Sequence, residues 1–134
     1  MADTLRCDET FLLGSAALAN LSFLSPLILT AMTQHNTVAT LLQYLSHNVS
    51  PSIYIQVSCH VSPHQCHNIV ISQDQVATVL ANMAARHDTQ ESLLAANIVN
   101  ILLYLLAASP TSDDLPVLAA TQRVQQKAAI AIGR

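Results

Sequence analysis

The sequence predicts an all-α fold, a solenoid of about two to three repeats with three helices in each. Apolar residues recur at helical spacing along most of the 134-residue chain, which has the length of about one domain. Charged residues make up 10% of the chain, against roughly 25% in an average soluble domain. A stacked array explains that deficit, because its inner helices are covered on both sides by neighbouring helices.

Three related segments mark the third helix of successive repeats. They are residues 11–23 (FLLGSAALANLSF), residues 73–85 (QDQVATVLANMAA) and residues 118–134 (LAATQRVQQKAAIAIGR), the last being the weakest copy. Each of the first two precedes a short apolar helix, predicted at 27–33 and 92–96. A longer helix then follows, predicted at 38–47 and 98–107. The unit is therefore three helices long.

Local sequence signals place the joints between these helices. Ser25-Pro26 puts a capping residue before a proline at the first helical position. Ser72 with Gln75, and Asp88 with Glu91, have the spacing of capping boxes. Residues 49–71 are predicted to be an inserted loop, because the copies lie farther apart than the roughly 40 to 47 residues of common helical repeats.

Composition excludes several classes of function. Two glycines cannot build a phosphate-binding loop, and a net charge of −3 with five basic residues disfavours nucleic-acid binding. Three cysteines and no secretory signal indicate free thiols in a reducing compartment. A small helical membrane protein stays open as an alternative, because residues 10–73 contain no Asp, Glu, Lys or Arg.

The repeat pattern resembles the armadillo repeat, whose third helix carries an ALANL-like segment. More specifically, residues 3–23 (DTLRCDETFLLGSAALANLSF), 74–84 (DQVATVLANMA) and 123–134 (RVQQKAAIAIGR) resemble the C-terminal armadillo region of the inscuteable family. The resemblance covers about two thirds of the chain, and residues 49–71 have no counterpart in it. It implies an armadillo-like right-handed solenoid in a single domain over residues 1–134, expected to be a fragment of a longer array.

The same resemblance implies a non-enzymatic adaptor of cell polarity, located in the cytoplasm and at the cell cortex. Members of this family link the Par-complex scaffold to the Pins/LGN machinery in asymmetric cell division and spindle orientation. The family's Pins-binding segment lies before the armadillo region, so we expect this chain to bind the Par-complex scaffold but not Pins/LGN. A generic armadillo or HEAT scaffold that binds an extended peptide is the alternative.

The candidate partner-binding residues lie on the third helices. In armadillo arrays these helices line a groove, where an Asn on each bonds the backbone of an extended ligand. Asn20 and Asn82 occupy matching positions, and hydrogen bonding to nearby loop carbonyls is the alternative role for both. A basic stripe on the last helix suits an acidic peptide, with a solvated face as the alternative. The full set is Asn20, Gln75, Thr78, Asn82, Arg86, Arg123, Lys127 and Arg134.

The sequence predicts no cofactor, no catalytic residues and no metal site. A Cys/His group in the insert contains an HxxxH spacing but no CxxC, so it does not fit the usual zinc pattern; its members are Cys59, His60, His64, Cys66 and His67. No nucleophile lies in a local catalytic signature. The alternatives that remain are therefore binding functions and the small helical membrane protein.

Overall fold

The computed structural model describes residues 2–49, 63–107 and 113–134, and these ranges contain seven α-helices and no strand. The predicted all-α class is therefore confirmed for this part of the chain. The helices are α1 (Ala2–Leu24), α2 (Pro26–Gln34), α3 (Thr37–Val49), α4 (Pro63–Ala84), α5 (His87–Ala95), α6 (Ile98–Ala107) and α7 (Leu115–Ile132).

The helices form two layers, with α4 at the centre of one of them. In the first layer α4 packs against α1 on one side and against α7 on the other. In the second layer α2 packs against α5, and α3 packs against α6. Each predicted third helix thus lies beside the third helix of the next copy.

The short helices repeat in length and register. Both α2 and α5 have nine residues. Their first residues, Pro26 and His87, are 61 positions apart (87 − 26), as are the first residues of α3 and α6 (98 − 37). Asn36 lies in the turn before α3 and Asn97 lies in the turn before α6, with positive φ angles of 52° and 55°. Asn tolerates this left-handed conformation better than most residues, so the same turn is built twice from the same residue type.

The hydrophobic core centres on the middle of α4. Val76, Ala77, Val79, Leu80 and Met83 are completely buried there. Successive residues with no exposure show that α4 is covered on more than one side, as predicted for an inner helix. Small side chains line the contacts with both neighbours, including Ala19 on α1, Ala81 and Ala84 on α4, and Ala120 and Ala128 on α7.

The predicted loop at 49–71 is wrong at residues 63–71, because α4 already begins at Pro63, and at Val49, which ends α3. Residues 50–62 of that predicted loop lie outside the described residues. Pro63 suits the first turn of a helix, where its missing N–H leaves no hydrogen bond unmade. Val70 continues the apolar face of α4 and packs with Val117 and Ala120 of α7. Burial against α7 thus extends the helix backward through polar residues that, as sequence alone, look like a loop.

Two of the predicted helix starts are also wrong. Ser72 lies inside α4 instead of capping it. The helix predicted at 92–96 is α5, which begins at His87, before Asp88 and five residues before the predicted start. The acidic side chain of Asp88 falls in the first turn of α5, where it still suits the positive end of the helix dipole. Ser25 does precede α2 with Pro26 at its start, although its hydroxyl makes no capping bond.

The described ranges contain no single helix that is both long enough and apolar enough to cross a membrane. By length and composition α5 and α6 pass that test only together, and the chain bends by 86° between them.

At Asn36 and Asn97, which have positive φ angles, we expect substitution by Ala to destabilise the fold more than substitution by Gly. Asn97→Ala should lower the free energy of unfolding by about 1 kcal/mol, because alanine has a Cβ but no polar side-chain group to stabilise the left-handed conformation. Asn97→Gly should change it little, since glycine adopts this conformation freely. Urea denaturation measures both, and the equivalent pair at Asn36 provides a repeat of the test. Equal stabilities of the Ala and Gly variants would contradict this account.

Candidate functional site: a polar surface along the third helices

The candidate site is the third-helix surface, which we define as the predicted binding residues on α1, α4 and α7 together with Arg134. Arg86, just after α4, is also predicted to bind a partner but forms a separate ion pair. Asn20 is exposed on α1, and Gln75, Thr78 and Asn82 are half-buried on α4. Because α4 lies between α1 and α7, these side chains belong to three adjacent helices. These side chains form a polar surface, whereas the fully buried side chains in the middle of α4 are apolar.

Asn82 links α4 to α1. Its Nδ2 donates to the Oγ of Ser22 at 2.9 Å, and that Oγ donates to the carbonyl oxygen of Ala19 at 2.9 Å. Asn20 is the matching residue on α1, and its side chain is exposed. The two asparagines are therefore in different environments: Asn82 helps to hold two helices together, whereas Asn20 faces solvent.

Thr78 and Asp74 lie one helical turn apart on α4. The Oγ1 of Thr78 donates to the carbonyl oxygen of Asp74 at 2.8 Å, a bond within the helix. Such a bond satisfies the hydroxyl without a partner from another helix. The hydroxyl keeps its acceptor capacity, so Thr78 still offers a polar group at this surface.

The basic residues of α7 meet a buried acid on α4. Lys127 Nζ donates to Asp74 Oδ1 at 2.6 Å, and Arg123 Nε donates to Asp74 Oδ2 at 3.1 Å. The side chain of Asp74 is only 7% exposed, whereas that of Arg123 is 50% exposed. A buried carboxylate is costly unless it is paired, so this contact fixes the register between α4 and α7.

Arg86 forms a separate ion pair with Asp88 just after α4. Its Nε donates to Oδ1 at 2.9 Å and its Nη2 to Oδ2 at 2.5 Å, which makes the pair bidentate. These hydrogen bonds lower the pKa of Asp88 below its usual range and raise the pKa of Arg86. The guanidinium of Arg86 is thus matched by a carboxylate within the chain.

Arg134 follows α7 at the end of the chain, and its side chain is exposed. Its carbonyl oxygen accepts a hydrogen bond from Gln90 Nε2 at 3.4 Å, and the same amide donates to the carbonyl oxygen of Ala84 at 2.8 Å. Gln90 on α5 therefore ties the ends of two third helices together.

Asp74 and Ser22 contact the predicted residues of this surface, but the sequence patterns do not identify either of them as part of it. Asp74 ends the 64-residue stretch without fixed charge, residues 10–73, and stands in an apolar helix. A lone acid in such a helix indicates a cationic partner on a neighbouring helix, and only α7 offers two basic residues four apart. No comparable signal identifies Ser22, since serines are frequent along the chain.

The described residues contain no group of three or more His, Cys, Asp or Glu side chains arranged to hold a metal ion. Cys59 and His60 lie outside the described residues. The side chains of His64, Cys66 and His67, at the start of α4, are likewise outside the description. The side chains on the third-helix surface carry amides, a hydroxyl and positive charges, so they can form hydrogen bonds and ion pairs with a partner.

Comparison with known proteins gives one family. The model for the inscuteable C-terminal region matches residues 1–134. The chain is 32% identical over 126 residues to the inscuteable homolog of Homo sapiens, and 31% identical over 126 residues to that of Mus musculus. Each match covers 94% of this chain and 19% of the relative, so the chain spans about a fifth of these relatives. No solved structure matches the chain.

The two cations on Asp74 should be partly redundant for stability. Arg123→Met or Lys127→Met alone should cost at most about 1 kcal/mol, because one cation remains and both side chains reach solvent. The double variant should cost about 3 kcal/mol or more, because it leaves a buried carboxylate unpaired. Urea denaturation of the four proteins measures this coupling.

Replacing Asp74 as well provides the control for that prediction. The triple variant Asp74→Leu, Arg123→Met, Lys127→Met has no unpaired charge and should regain most of the stability that the double variant loses. Additive losses in the single variants, or no recovery in the triple variant, would show that the carboxylate does not depend on these two cations.

Proposed function

The chain belongs to the inscuteable family, as its sequence predicts, and from this membership we propose that it is a non-catalytic adaptor that binds a Par-complex polarity scaffold. In this proposal it acts in asymmetric cell division and spindle orientation, in the cytoplasm and at the cell cortex. The match over 94% of the chain to the human inscuteable homolog is the observation that carries it.

The proposal includes an armadillo-like right-handed solenoid as the architecture of residues 1–134. Three observations support it: the three-helix unit, the 61-residue offset between α2–α3 and α5–α6, and the row formed by α1, α4 and α7. Asn20 lies six residues before the start of α2 (26 − 20) and Asn82 lies five residues before the start of α5 (87 − 82), so the asparagines are 62 positions apart, one more than the helix starts. An otherwise regular repeat thus continues across the joint before α5.

The partner would lie along the third-helix surface as an extended peptide. Asn20 and Gln75 carry amides that donate and accept, which is the chemistry needed to bond a peptide backbone. Thr78 adds a hydroxyl between Gln75 and Asn82. The Par-complex scaffold is proposed as the source of that peptide, and no binding of Pins/LGN is assigned to this surface.

A generic armadillo or HEAT scaffold remains the second candidate. The exposed amide of Asn20 and the half-buried amide of Gln75 favour it equally, because backbone recognition does not depend on the identity of the peptide. The two candidates share a binding surface and differ in partner.

Removing two amides from the third-helix surface tests the proposal. The double variant Asn20→Ala, Gln75→Ala should weaken binding of the Par-complex scaffold about tenfold, because two hydrogen bonds together contribute about 1 to 2 kcal/mol. Gln34→Ala with Thr40→Ala, on the exposed sides of α2 and α3, is the matched control and should bind as the unmodified chain does. Pull-down over a concentration series measures all three.

The outcomes separate the two candidates. If the unmodified chain fails to bind the scaffold, the polarity function is wrong and the generic scaffold is favoured. If the scaffold binds but the surface variant and the control bind equally well, the third-helix surface is not the binding site.

A further inference from the structure

Asp74, Arg123 and Lys127 carry more positive than negative charge. One carboxylate faces two cations, so the cluster has a formal charge of +1 in a chain whose formal net charge is −3. One cation is enough to balance one buried carboxylate. The second cation is not accounted for by the pairing of Asp74.

The two cations differ in how they hold Asp74. Lys127 makes the shorter contact, at 2.6 Å, and its side chain is 27% exposed. Arg123 makes a 3.1 Å contact through Nε, and half of its side chain is exposed. Lys127 is thus the principal partner of the carboxylate, and Arg123 is the more open of the two.

The bond between Arg123 and Asp74 leaves the two terminal nitrogens of the guanidinium available for a second carboxylate. That bond uses Nε, while the two terminal nitrogens carry four further N–H donors in a planar fork. That fork matches the two oxygens of a carboxylate. Because Asp74 is fixed on α4 and binds Nε, it limits the rotation of the guanidinium and pre-orients the fork.

Arg86 provides an internal contrast. It binds Asp88 through both Nε and a terminal nitrogen, so one edge of its guanidinium already holds a carboxylate in a bidentate contact and the pair is neutral. Of these two arginines, therefore, only Arg123 binds its carboxylate through Nε alone and belongs to a cluster with a net positive charge.

We infer that Arg123 is a carboxylate-binding residue of the third-helix surface, positioned by Asp74 and assisted by Lys127, and that it takes a Glu or Asp side chain of an extended acidic peptide. The inference rests on the proposed function, since it names the chemistry of the peptide that this surface binds. The surplus charge attracts the peptide, and the fork gives the contact its geometry.

A fluorescein-labelled hexaglutamate peptide tests this inference, with hexaglutamine as the uncharged reference. Fluorescence anisotropy at low salt should show binding of hexaglutamate that R123Q weakens about tenfold, as expected when a charge-assisted contact is lost. R86Q removes the same charge and should weaken binding less than about twofold, because its fork is already closed by Asp88. R123K should bind between R123Q and the unmodified chain, because it keeps the charge but loses the fork.

Each other result overturns the inference. Equal losses in R123Q and R86Q would show attraction by net charge alone. Hexaglutamate that binds no better than hexaglutamine, or as well to R123Q as to the unmodified chain, would show no carboxylate site. Circular dichroism and urea denaturation identify a variant that fails to fold. If R123Q does not fold, K127M replaces it, because this variant keeps Arg123. Its affinity for hexaglutamate should fall about threefold.

The same variants distinguish failure of the inference from failure of the proposed function. If R123Q still binds both hexaglutamate and the Par-complex scaffold normally while the double variant at Asn20 and Gln75 loses the scaffold, the function stands and the carboxylate site is wrong. If hexaglutamate binding depends on Arg123 but the scaffold never binds, the site stands and the partner is wrong.

Discussion

The middle turns of α4 are closed to water on the sides that face α1 and α7, and this burial determines the character of the chain. Val76, Val79, Leu80 and Met83 have no exposed surface. A helix in that position gains from apolar residues around most of its circumference and pays heavily for any unpaired charge. The low charge content and the small residues at the helix contacts both follow from this one arrangement.

Burial of α4 also explains which features the sequence predicts well. The bounds of α6, 98–107, agree with the prediction, because this helix is a run of apolar residues interrupted only by Asn100 and preceded by Asn97. The predicted α2 and α3 are right to within two residues at each end, helped by Ser25-Pro26. Where apolar periodicity coincides with local helix start and stop signals, the sequence is sufficient to place a helix.

The errors arise where a contact from another helix outweighs the local signal. Residues 63–71 look like a loop because they are rich in His, Asn and Gln, yet Val70 packs on α7 and the helix continues through them. Ser72 has a suitable residue three positions later for a capping box, but it lies buried in the middle of α4. No pattern within α4 itself shows that α7 covers this part of the helix.

In the candidate site, too, the sequence predicts the positions of residues but not their tertiary contacts. Helical spacing places Arg123 and Lys127 on one face, and the structure shows both reaching the same carboxylate. What spacing does not give is the partner, because Asp74 is 49 residues from Arg123 in the chain. Asn82 is a similar case, since its bond to Ser22 joins residues 60 positions apart. Repeat alignment identifies equivalent positions, whereas tertiary contacts decide what each equivalent residue does.

Asp74 connects the stability of the array with the properties of its surface. A neutral residue at this position would pack between α4 and α7 without requiring any cation on α7. The acid instead holds Lys127 and Arg123 at one place on α7, where a chain poor in basic residues concentrates two of its five. Because the carboxylate cancels only one of those charges, pairing the helices leaves a positive surface beside their contact. The interaction that satisfies the buried acid thus also sets the sign of the charge that a partner meets.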